Sequence, residues 1–161
     1  MPDHRVGIGF DAHRFAEGRK LVLGGTEVPY HLGLLGHSDA DVLTHAIMDA
    51  LLGAANLGDL GTHFPSSDPR YKDIPSQLLL REVVEKLHAA GWHTINLDAT
   101  IVTQEPRLSS HIDSMKNILS QTLGVPAERV SIKATTSDGM GFTGRGEGIA
   151  ALAVALIEKA E

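Results

Sequence analysis

Segments with the two-residue periodicity of β-strands alternate with segments of helical periodicity along most of this 161-residue chain. The predicted strands are 5–14, 93–103 and 129–135. The predicted helices are 39–56, 76–90 and 109–123. A short hairpin turned at Gly24-Gly25 is predicted over 19–29. Because strands and helices alternate, we expect an α/β or α+β sandwich of layers.

The boundaries of these segments carry further signals. Ser38 is predicted to cap the first helix, and the acidic residues that follow it suit the positive end of the helix dipole. The stretch 58–75 contains three prolines and few apolar residues, which predicts a long loop, and such loops are usually functional or disordered. The tail 149–157 is ambiguous, because its alanines favour a helix whereas its apolar run fits a buried strand.

Composition excludes several classes of protein. Apolar residues make up 42% of the chain and aromatic ones only 4%, so we expect a single domain over 1–161 with an aliphatic core. A net charge of −6 without any basic cluster argues against nucleic-acid binding. The absence of a membrane-length apolar run and of a signal-peptide pattern favours a cytoplasmic protein. Without cysteine, any metal must be held by His, Asp or Glu.

Asp11 and His13 lie two residues apart in the first predicted strand. At this spacing both side chains project from the same face of the strand. A carboxylate and an imidazole supply two ligands of a zinc site, and catalytic zinc sites have three protein ligands. A catalytic site would therefore need a third ligand from elsewhere in the chain. The alternative is structural, with Asp11 capping the strand end and His13 on the surface.

His45 in the first predicted helix is the candidate for the third ligand. Asp41, His45 and Asp49 are spaced four residues apart and therefore form one column beside the apolar face of the helix. The two acids could then orient the imidazole ring of His45. A partly buried helix histidine with an ordinary hydrogen bond is the competing interpretation, and spacing alone leaves both open.

Two further segments have features of phosphate sites. His37 precedes the predicted helix start, where free N–H groups attract anions, although an ordinary loop residue fits there equally well. Residues 133–138 bring an ammonium, hydroxyls and a carboxylate to a strand end, which suits a phosphate chain bridged by Mg²⁺. Residues 139–144 match G-x-G-x-x-G, but only 17 residues follow, too few for a dinucleotide-binding unit. The glycines of 139–148 instead predict tight turns and close backbone approach.

Several sequence blocks, taken in order, resemble the 2-C-methyl-D-erythritol 2,4-cyclodiphosphate synthase family. The blocks are Gly9-Phe-Asp-Ala-His13, Leu34-Leu-Gly-His-Ser-Asp-Ala-Asp41, Asp49-Ala-Leu-Leu-Gly53, Gly58-Asp-Leu-Gly61, Phe64-Pro65, Lys133-Ala-Thr-Thr136 and Gly141-Phe-Thr-Gly-Arg-Gly-Glu-Gly148. They extend over nearly the whole chain, and several independent blocks in one order are far more specific than any single block.

The resemblance implies a fold, an assembly and a reaction. The fold is α+β, a four-stranded mixed β-sheet with helices packed on one face, in which the ambiguous tail is a strand. The assembly is a homotrimer with the sheets facing the three-fold axis and with active sites between adjacent subunits. The reaction belongs to the non-mevalonate isoprenoid pathway. In it, the 2-phosphate of a cytidine diphosphate-linked methylerythritol attacks the β-phosphorus, CMP leaves and a cyclic diphosphate forms.

The resemblance also implies two metal sites. Asp11, His13 and His45 match the protein ligands of one Zn²⁺ per subunit, with the fourth position left for a phosphate oxygen. Asp138 matches the ligand of a second ion, Mg²⁺ or Mn²⁺, that bridges the substrate diphosphate. Glutamate is usual at that position, and the aspartate is one methylene shorter, so coordination through a water molecule is the alternative to direct coordination.

Further roles follow from the resemblance position by position. His37 and Thr136 match the residues that stabilise the transition state. Arg145 and Glu147 match groups near a central trimer cavity that is linked to isoprenoid diphosphates. The substrate contacts implied are Asp11, Ala12, His13, His37, Ser38, Asp59, Leu60, Gly61, Phe64, Pro65, Ser66, Ser67, Asp68, Thr103, Gln104, Glu105, Pro106, Arg107, Leu108, Ser109, Thr135, Thr136, Ser137, Asp138, Phe142 and Arg145.

Two other functions compete with this one. A metal-dependent phosphohydrolase would use the same ligands to activate water, and it would release free phosphate or an open-chain product. A non-catalytic protein would either hold a structural zinc, closed by four protein ligands, or bind isoprenoid diphosphates as a regulator. The reaction product and the number of protein ligands on the metal distinguish these functions.

Overall fold

The computed structural model describes residues 3–161. This range contains seven strands and five α-helices. The strands are β1 (His4–Ala16), β2 (Leu21–Leu23), β3 (Thr26–Val28), β4 (Gly33–Leu34), β5 (Trp92–Val102), β6 (Val130–Thr135) and β7 (Gly148–Lys159). The α-helices are α1 (Val42–Ala55), α2 (Leu60–His63), α3 (Ser76–Ala89), α4 (Ile112–Leu123) and α5 (Gly141–Gly144). Within this part of the chain, every helix is too short or too polar to cross a membrane.

The main sheet is mixed and has the strand order β4-β1-β7-β5-β6. β5 and β6 run parallel, whereas the other neighbouring strands run antiparallel. The predicted α+β class is confirmed, but the sheet has five strands where four were expected. The additional strand is β4, a two-residue segment that pairs with the end of β1. The predicted hairpin is confirmed as β2 and β3, turned at Gly24-Gly25.

The alanine-rich tail is a strand, as the resemblance implies. β7 lies between β1 and β5 and pairs with both. Ala151, Ala153 and Ala155 are fully buried on the side of α1, while Leu152 and Val154 on the opposite face are 40% and 44% exposed. Pairing on both edges therefore overrides the helical preference of alanine, which is only a weak local term.

Two glycines in β1 allow α1 to pack directly on the sheet. A β-carbon on Gly9 would lie 1.8 Å from the carbonyl oxygen of Ala46, and one on Gly7 would lie 1.9 Å from that of Ala50. Both distances are far below van der Waals contact, so only glycine permits this approach. α3 contacts α1 from another side, and nearly every α1 residue is buried, which makes α1 a central helix rather than an amphipathic surface helix.

The first helix begins later than predicted, at Val42, and Asp41 rather than Ser38 is its cap. The Asp41 carboxylate accepts hydrogen bonds from the Thr44 N–H at 3.0 Å and from the Thr44 hydroxyl at 2.8 Å. It also accepts the N–H groups of Gly24 and Gly25 at 2.9 and 2.8 Å, so it joins the hairpin to the helix. These tertiary contacts select Asp41 as the cap, and Ser38 is directed elsewhere.

The predicted loop 58–75 contains two short helical turns, α2 and a 3₁₀ turn at Pro69–Tyr71. Each turn is capped by an aspartate that precedes it, Asp59 and Asp68 respectively. The close backbone approach predicted for 139–148 is confirmed at Gly148, where a β-carbon would lie 2.2 Å from the carbonyl oxygen of His13. The loops at this end of the sheet are therefore held by capping bonds and close packing.

Gly9→Ala should lower the free energy of unfolding by about 3 kcal/mol, because its clash is with helix backbone that no rotamer change relieves. Gly53→Ala, in α1, is the matched control, since a β-carbon there meets nothing within 4 Å. We expect the control to be neutral or to gain up to about 1 kcal/mol from helix propensity. Urea denaturation followed by circular dichroism measures both, and equal stabilities would contradict the packing argument.

Candidate metal centre and active site

Asp11, His13 and His45 converge at the boundary between β1 and α1. His13 Nε2 lies 2.7 Å from Asp11 Oδ2, His45 Nδ1 lies 3.0 Å from the same oxygen, and the two nitrogens are 3.2 Å apart. Among the described residues, these three form the only such cluster of His, Asp or Glu that is placed to hold a metal ion. The structure therefore brings together the three residues that the sequence singled out.

The spacing of the three atoms suits a tetrahedral ion. Zinc bonds of about 2.0–2.1 Å place the ligand atoms of a tetrahedron about 3.3 Å apart. The separations of 2.7–3.2 Å between the three atoms are close to that edge length. An imidazole–imidazole–carboxylate set without sulfur also belongs to the ligand types that zinc accepts. The residues present thus fit a divalent ion of this kind.

His13 is fixed in a metal-binding orientation by Leu35, the residue that follows β4. Its Nδ1–H donates a hydrogen bond to the carbonyl oxygen of Leu35 at 2.8 Å, which leaves Nε2, the nitrogen beside Asp11, as the one that can bind a metal ion. Burial lowers the pKa of His13, but the hydrogen bond and charge of Asp11 outweigh burial and raise it. Burial likewise raises the pKa of Asp11, yet His13 and His45 together lower it to about 2. Asp11 is therefore ionised at neutral pH.

His45 is oriented by two serines rather than by the acids of its own helix. Its Nε2 lies 2.9 Å from the hydroxyl of Ser76 and 3.1 Å from that of Ser38. The prediction that Asp41 and Asp49 orient the ring is wrong. The Asp41 carboxylate is used by the helix cap and the hairpin, and Asp49 accepts the backbone N–H of Leu60 at 2.7 Å.

A cavity of about 250 Å³ opens directly beside the three ligands. It is lined by the predicted residues Asp11, His13, His37, Ser38, His45, Leu60, Gly61, Phe64 and Ser66. Tyr71 and Leu79 also line it and were not predicted, because ordinary apolar residues of a loop and a helix carry no sequence signal for a site. Pro65 and Ser67 flank the lining residues in the chain, and Asp59 and Asp68 cap the two short turns of this loop.

The position of His37 differs from the anion-site prediction. It lies in the loop before Asp41 rather than at the helix start, and Asp41 already accepts the first-turn N–H of Thr44. His37 Nε2–H donates to the carbonyl oxygen of Asp68 at 2.8 Å, and the carbonyl oxygen of His37 accepts the N–H of Asp73 at 2.8 Å. The loop that carries His37 is therefore fastened to the loop that forms the cavity wall.

A second cavity of about 260 Å³ lies where β5 and β6 end. It is lined by the predicted residues Thr103, Gln104, Pro106, Arg107, Leu108, Ser109, Thr135 and Thr136. Glu105 follows Gln104 in the same loop, and its carbonyl oxygen accepts the hydroxyl of Thr103. Gln104 also accepts the N–H of Gly139 at 3.2 Å, which holds the 137–139 turn beside this cavity.

The remaining predicted residues lie around the 137–148 segment. Asp138 is exposed, has a positive φ of 52°, and accepts the hydroxyl of Thr136 at 3.3 Å. Ser137 hydrogen-bonds with the hydroxyl of Thr143. Ala12 and Phe142 line a third depression of about 220 Å³, and Arg145 donates to Glu147 at 2.9 Å.

The structure of the single chain keeps the first two cavities apart. β1 and β6 are separated by β7 and β5, which amounts to three strand spacings or about 14 Å. His37 lines the first cavity and Thr136 the second, so the two residues assigned to one transition state lie in different cavities. The metal site is thus complete within one chain, whereas the predicted substrate site is divided.

Comparison with known proteins gives a consistent result. The YgbB family matches residues 4–158. A 2-C-methyl-D-erythritol 2,4-cyclodiphosphate synthase from Syntrophomonas wolfei is 62% identical over 156 residues, which cover 97% of this chain and 99% of that protein. The enzyme of the same name from Moorella thermoacetica is 60% identical over 153 residues, covering 95% and 94%. A solved synthase structure in a CDP-bound form has a TM-score of 0.87 at 36% identity, covering 95% of this chain and 99% of that one.

The fold and the three-ligand cluster beside an open cavity define an α+β protein with a site suited to a divalent metal. The chain belongs to the YgbB family, whose members named above are 2-C-methyl-D-erythritol 2,4-cyclodiphosphate synthases. The resemblance found in the ordered sequence blocks is therefore confirmed.

Asp49→Ala should release the segment that carries Leu60 and Gly61 into the first cavity. Loss of the hydrogen bond from the Leu60 N–H to a carboxylate removes about 1.5 kcal/mol of local stability, which corresponds to roughly tenfold faster amide exchange. Asp49→Asn retains a carbonyl acceptor and should show little change. Hydrogen–deuterium exchange of the peptide around Leu60 measures both, and unaltered protection in Asp49→Ala would contradict this anchoring.

Proposed function

We propose that this chain cyclises 4-diphosphocytidyl-2-C-methyl-D-erythritol 2-phosphate to 2-C-methyl-D-erythritol 2,4-cyclodiphosphate with release of CMP. The observation that carries the proposal is the convergence of Asp11, His13 and His45 beside an open cavity. The chain's relatives of 60–62% identity carry the name of this enzyme. The solved relative in its CDP-bound form supports a cytidine diphosphate-linked substrate.

The three ligands are proposed to hold Zn²⁺ and to present it to the first cavity. When bound, the ion would supply Lewis-acid stabilisation of charge on a β-phosphate oxygen. Asp11 is ionised and His13 is oriented by Leu35, so both are prepared to bind a cation. Among the described residues, only three His, Asp or Glu side chains converge here, which favours a catalytic over a structural metal site.

No side-chain nucleophile is required in the proposed reaction. An oxygen of the substrate's own 2-phosphate forms the new bond to the β-phosphorus, and the bond from that phosphorus to CMP breaks. The protein then contributes positioning and neutralisation of charge, which are the main sources of rate in phosphoryl transfer. His37 and Thr136 are proposed to stabilise the transition state. Asp138 is proposed to hold Mg²⁺ or Mn²⁺ on the diphosphate.

The substrate is proposed to occupy both cavities. Its methylerythritol phosphate would lie in the first cavity against Ser38, the Asp59–Gly61 segment and the 64–68 segment. Its cytidine would lie in the second cavity, formed by 103–109 and 135–138. Because β1 and β6, whose ends lead to the two cavities, are about 14 Å apart in one chain, a neighbouring copy that brings its second cavity to the first would complete the site.

A homotrimer is proposed to provide that neighbour. The face of the sheet away from α1 exposes Val6, Ile8 and Phe10 by 67%, 71% and 57%, with Leu152 and Val154 beside them. A contiguous apolar face of this kind marks an interaction surface. Packing three such faces around one axis would bury them and place the cavities at the subunit boundaries. Arg145, with Glu147, is proposed to lie near the resulting central cavity, a candidate site for an isoprenoid diphosphate.

Light scattering should give the wild-type protein a mass three times the 17.2 kDa of one chain. Ile8→Glu should yield a monomer without turnover, because three carboxylates would be buried at the axis without partners. Leu78→Glu is the matched control, an exposed apolar residue of α3 that should leave the mass unchanged. An active wild-type monomer would overturn the trimer proposal.

Product analysis tests the reaction itself. Incubation with the cytidine-linked substrate, followed by mass spectrometry, should detect CMP and the cyclic diphosphate in equal amounts. Free phosphate or an open-chain product would instead indicate a phosphohydrolase.

His13→Ala should lower metal content and turnover together, each by at least about 100-fold, because one of three ligands is lost. The matched control is His88→Ala, an exposed histidine of α3 that should alter neither quantity. Elemental analysis and the CMP-release rate measure the two effects. A fully active, zinc-free His13→Ala variant would contradict the assignment.

A further inference from the structure

A chain of hydrogen bonds begins at His45 Nε2, the ring nitrogen that faces away from the metal cluster, and leads through Ser76 to Asp39. His45 Nε2 lies 2.9 Å from the hydroxyl of Ser76. The Ser76 hydroxyl donates in turn to Asp39 Oδ1, and the backbone N–H of Ser76 donates to Asp39 Oδ2 at 2.9 Å. Ser76 is fully buried and His45 is 7% exposed, so water does not compete for the bond between these two side chains, while Asp39 is partly buried. No spacing in the sequence predicts Asp39 or Ser76 as a partner of His45.

The Asp39 carboxylate, the acceptor at the end of these hydrogen bonds, sets the direction in which each proton points. The Asp39 carboxylate accepts from both donors of Ser76, so the hydroxyl proton of Ser76 points toward Asp39. The Ser76 oxygen then offers a lone pair to His45, and the proton between them belongs to His45 Nε2. Nδ1, on the side of Asp11 and His13, is left with the lone pair that a metal ion requires.

Asp39 is itself held in place by the ends of two helices. Its N–H donates to the carbonyl oxygen of Ile74 at 3.1 Å, and its Oδ1 accepts the N–H of Asp41 at 3.1 Å. Ser76 is the first residue of α3, and the residue before it, Pro75, provides no side-chain cap. Asp39 therefore caps α3 and orients Ser76 with the same carboxylate.

Ser38 does not determine the orientation of the ring in the same way. Its hydroxyl lies 3.1 Å from His45 Nε2 and accepts the N–H of Ala40 at 3.3 Å, but no carboxylate accepts its proton. The Ser38 hydroxyl can thus either donate to or accept from the imidazole. Of the two hydroxyls on Nε2, only that of Ser76 has its proton committed elsewhere.

We propose that Asp39 and Ser76 are positioning residues for His45, which set its tautomer and hold Nδ1 toward the metal. This inference rests on the metal site of the proposed function and adds two residues, Asp39 and Ser76, that raise its affinity for the metal. Partners of this kind behind a metal-bound histidine are typically worth 10- to 100-fold in metal affinity. Neither Asp39 nor Ser76 has to contact the substrate in this role.

Zinc affinity of the metal-free protein, measured by competition with a chromogenic chelator, is the first test. Ser76→Ala removes the hydroxyl, and Asp39→Asn leaves one carbonyl oxygen for three donors, so each should weaken zinc binding by about 10- to 100-fold. The matched control is Ser120→Ala, a buried serine whose hydroxyl donates to Asn117 in α4 and which should bind zinc normally. Melting temperatures identify variants that fail to fold.

A second measurement decides the question on the wild-type protein. With ¹⁵N-labelled histidine and zinc bound, nuclear magnetic resonance should show a slowly exchanging His45 Nε2 proton close to the β-protons of Ser76. That signal should move or broaden in folded Asp39→Asn. A rapidly exchanging or absent Nε2 proton in the wild type, or wild-type zinc affinity in both folded variants, would overturn the inference.

The outcomes also separate this inference from the proposed function. If the wild-type protein binds no zinc at Asp11, His13 and His45, the proposed function is wrong, and the positioning role of Asp39 and Ser76 is wrong with it. A different outcome is that the wild type binds zinc tightly and forms the cyclic diphosphate while both folded variants, Ser76→Ala and Asp39→Asn, bind zinc equally well. In that case only the positioning role of Asp39 and Ser76 is wrong.

Discussion

The direct contact between the backbones of β1 and α1 is the constraint on which both the core and the metal centre depend. A glycine at position 9 lets the carbonyl of Ala46 lie where any other residue would place its β-carbon. His45 precedes Ala46 in the helix, and Asp11 and His13 follow Gly9 on the same face of the strand. The depth at which the helix packs therefore also sets the separation of the three ligand atoms. A helix held a few ångströms further out would open voids in the core and would also separate the three metal ligands.

Around this contact the protein gathers negative charge and stabilises it with hydrogen-bond donors instead of cations. Burial and the charge of Asp39 raise the pKa of Asp41, while the Thr44 and Gly25 N–H groups oppose that rise. Among the described residues, neither of these carboxylates nor Asp11 pairs with lysine or arginine. In a chain with net charge −6, the described carboxylates at the metal end thus have no direct lysine or arginine partner. A divalent ion would supply the missing charge, which makes metal binding and local stability mutually dependent.

How much the sequence could predict depends on how local each determinant is. The first strand, the Gly24-Gly25 hairpin and the shared face of Asp11 and His13 follow from spacing of a few residues, and the structure agrees. The cap of α1 does not, because several cap-forming residues stand in a row and the hairpin N–H groups select Asp41. The pairing of His45 with Ser76 spans 31 positions, and helical spacing could only nominate residues one turn away. Tertiary contacts of this kind have no signature in a single sequence.

Because the site is divided between two cavities, the proposed assembly would give the exposed sheet face a role beyond stability. The cavities open at the same end of the sheet, where β1, β5 and β6 end and β7 begins. A neighbour packed on the apolar face could therefore bring its second cavity to the metal ligands without any strand changing its register. Hydrophobic burial would then hold together the two halves of the substrate site, and the chemistry would need little flexibility in either half. On this argument, the same apolar residues that drive association also determine whether His37 and Thr136 can act on one phosphate.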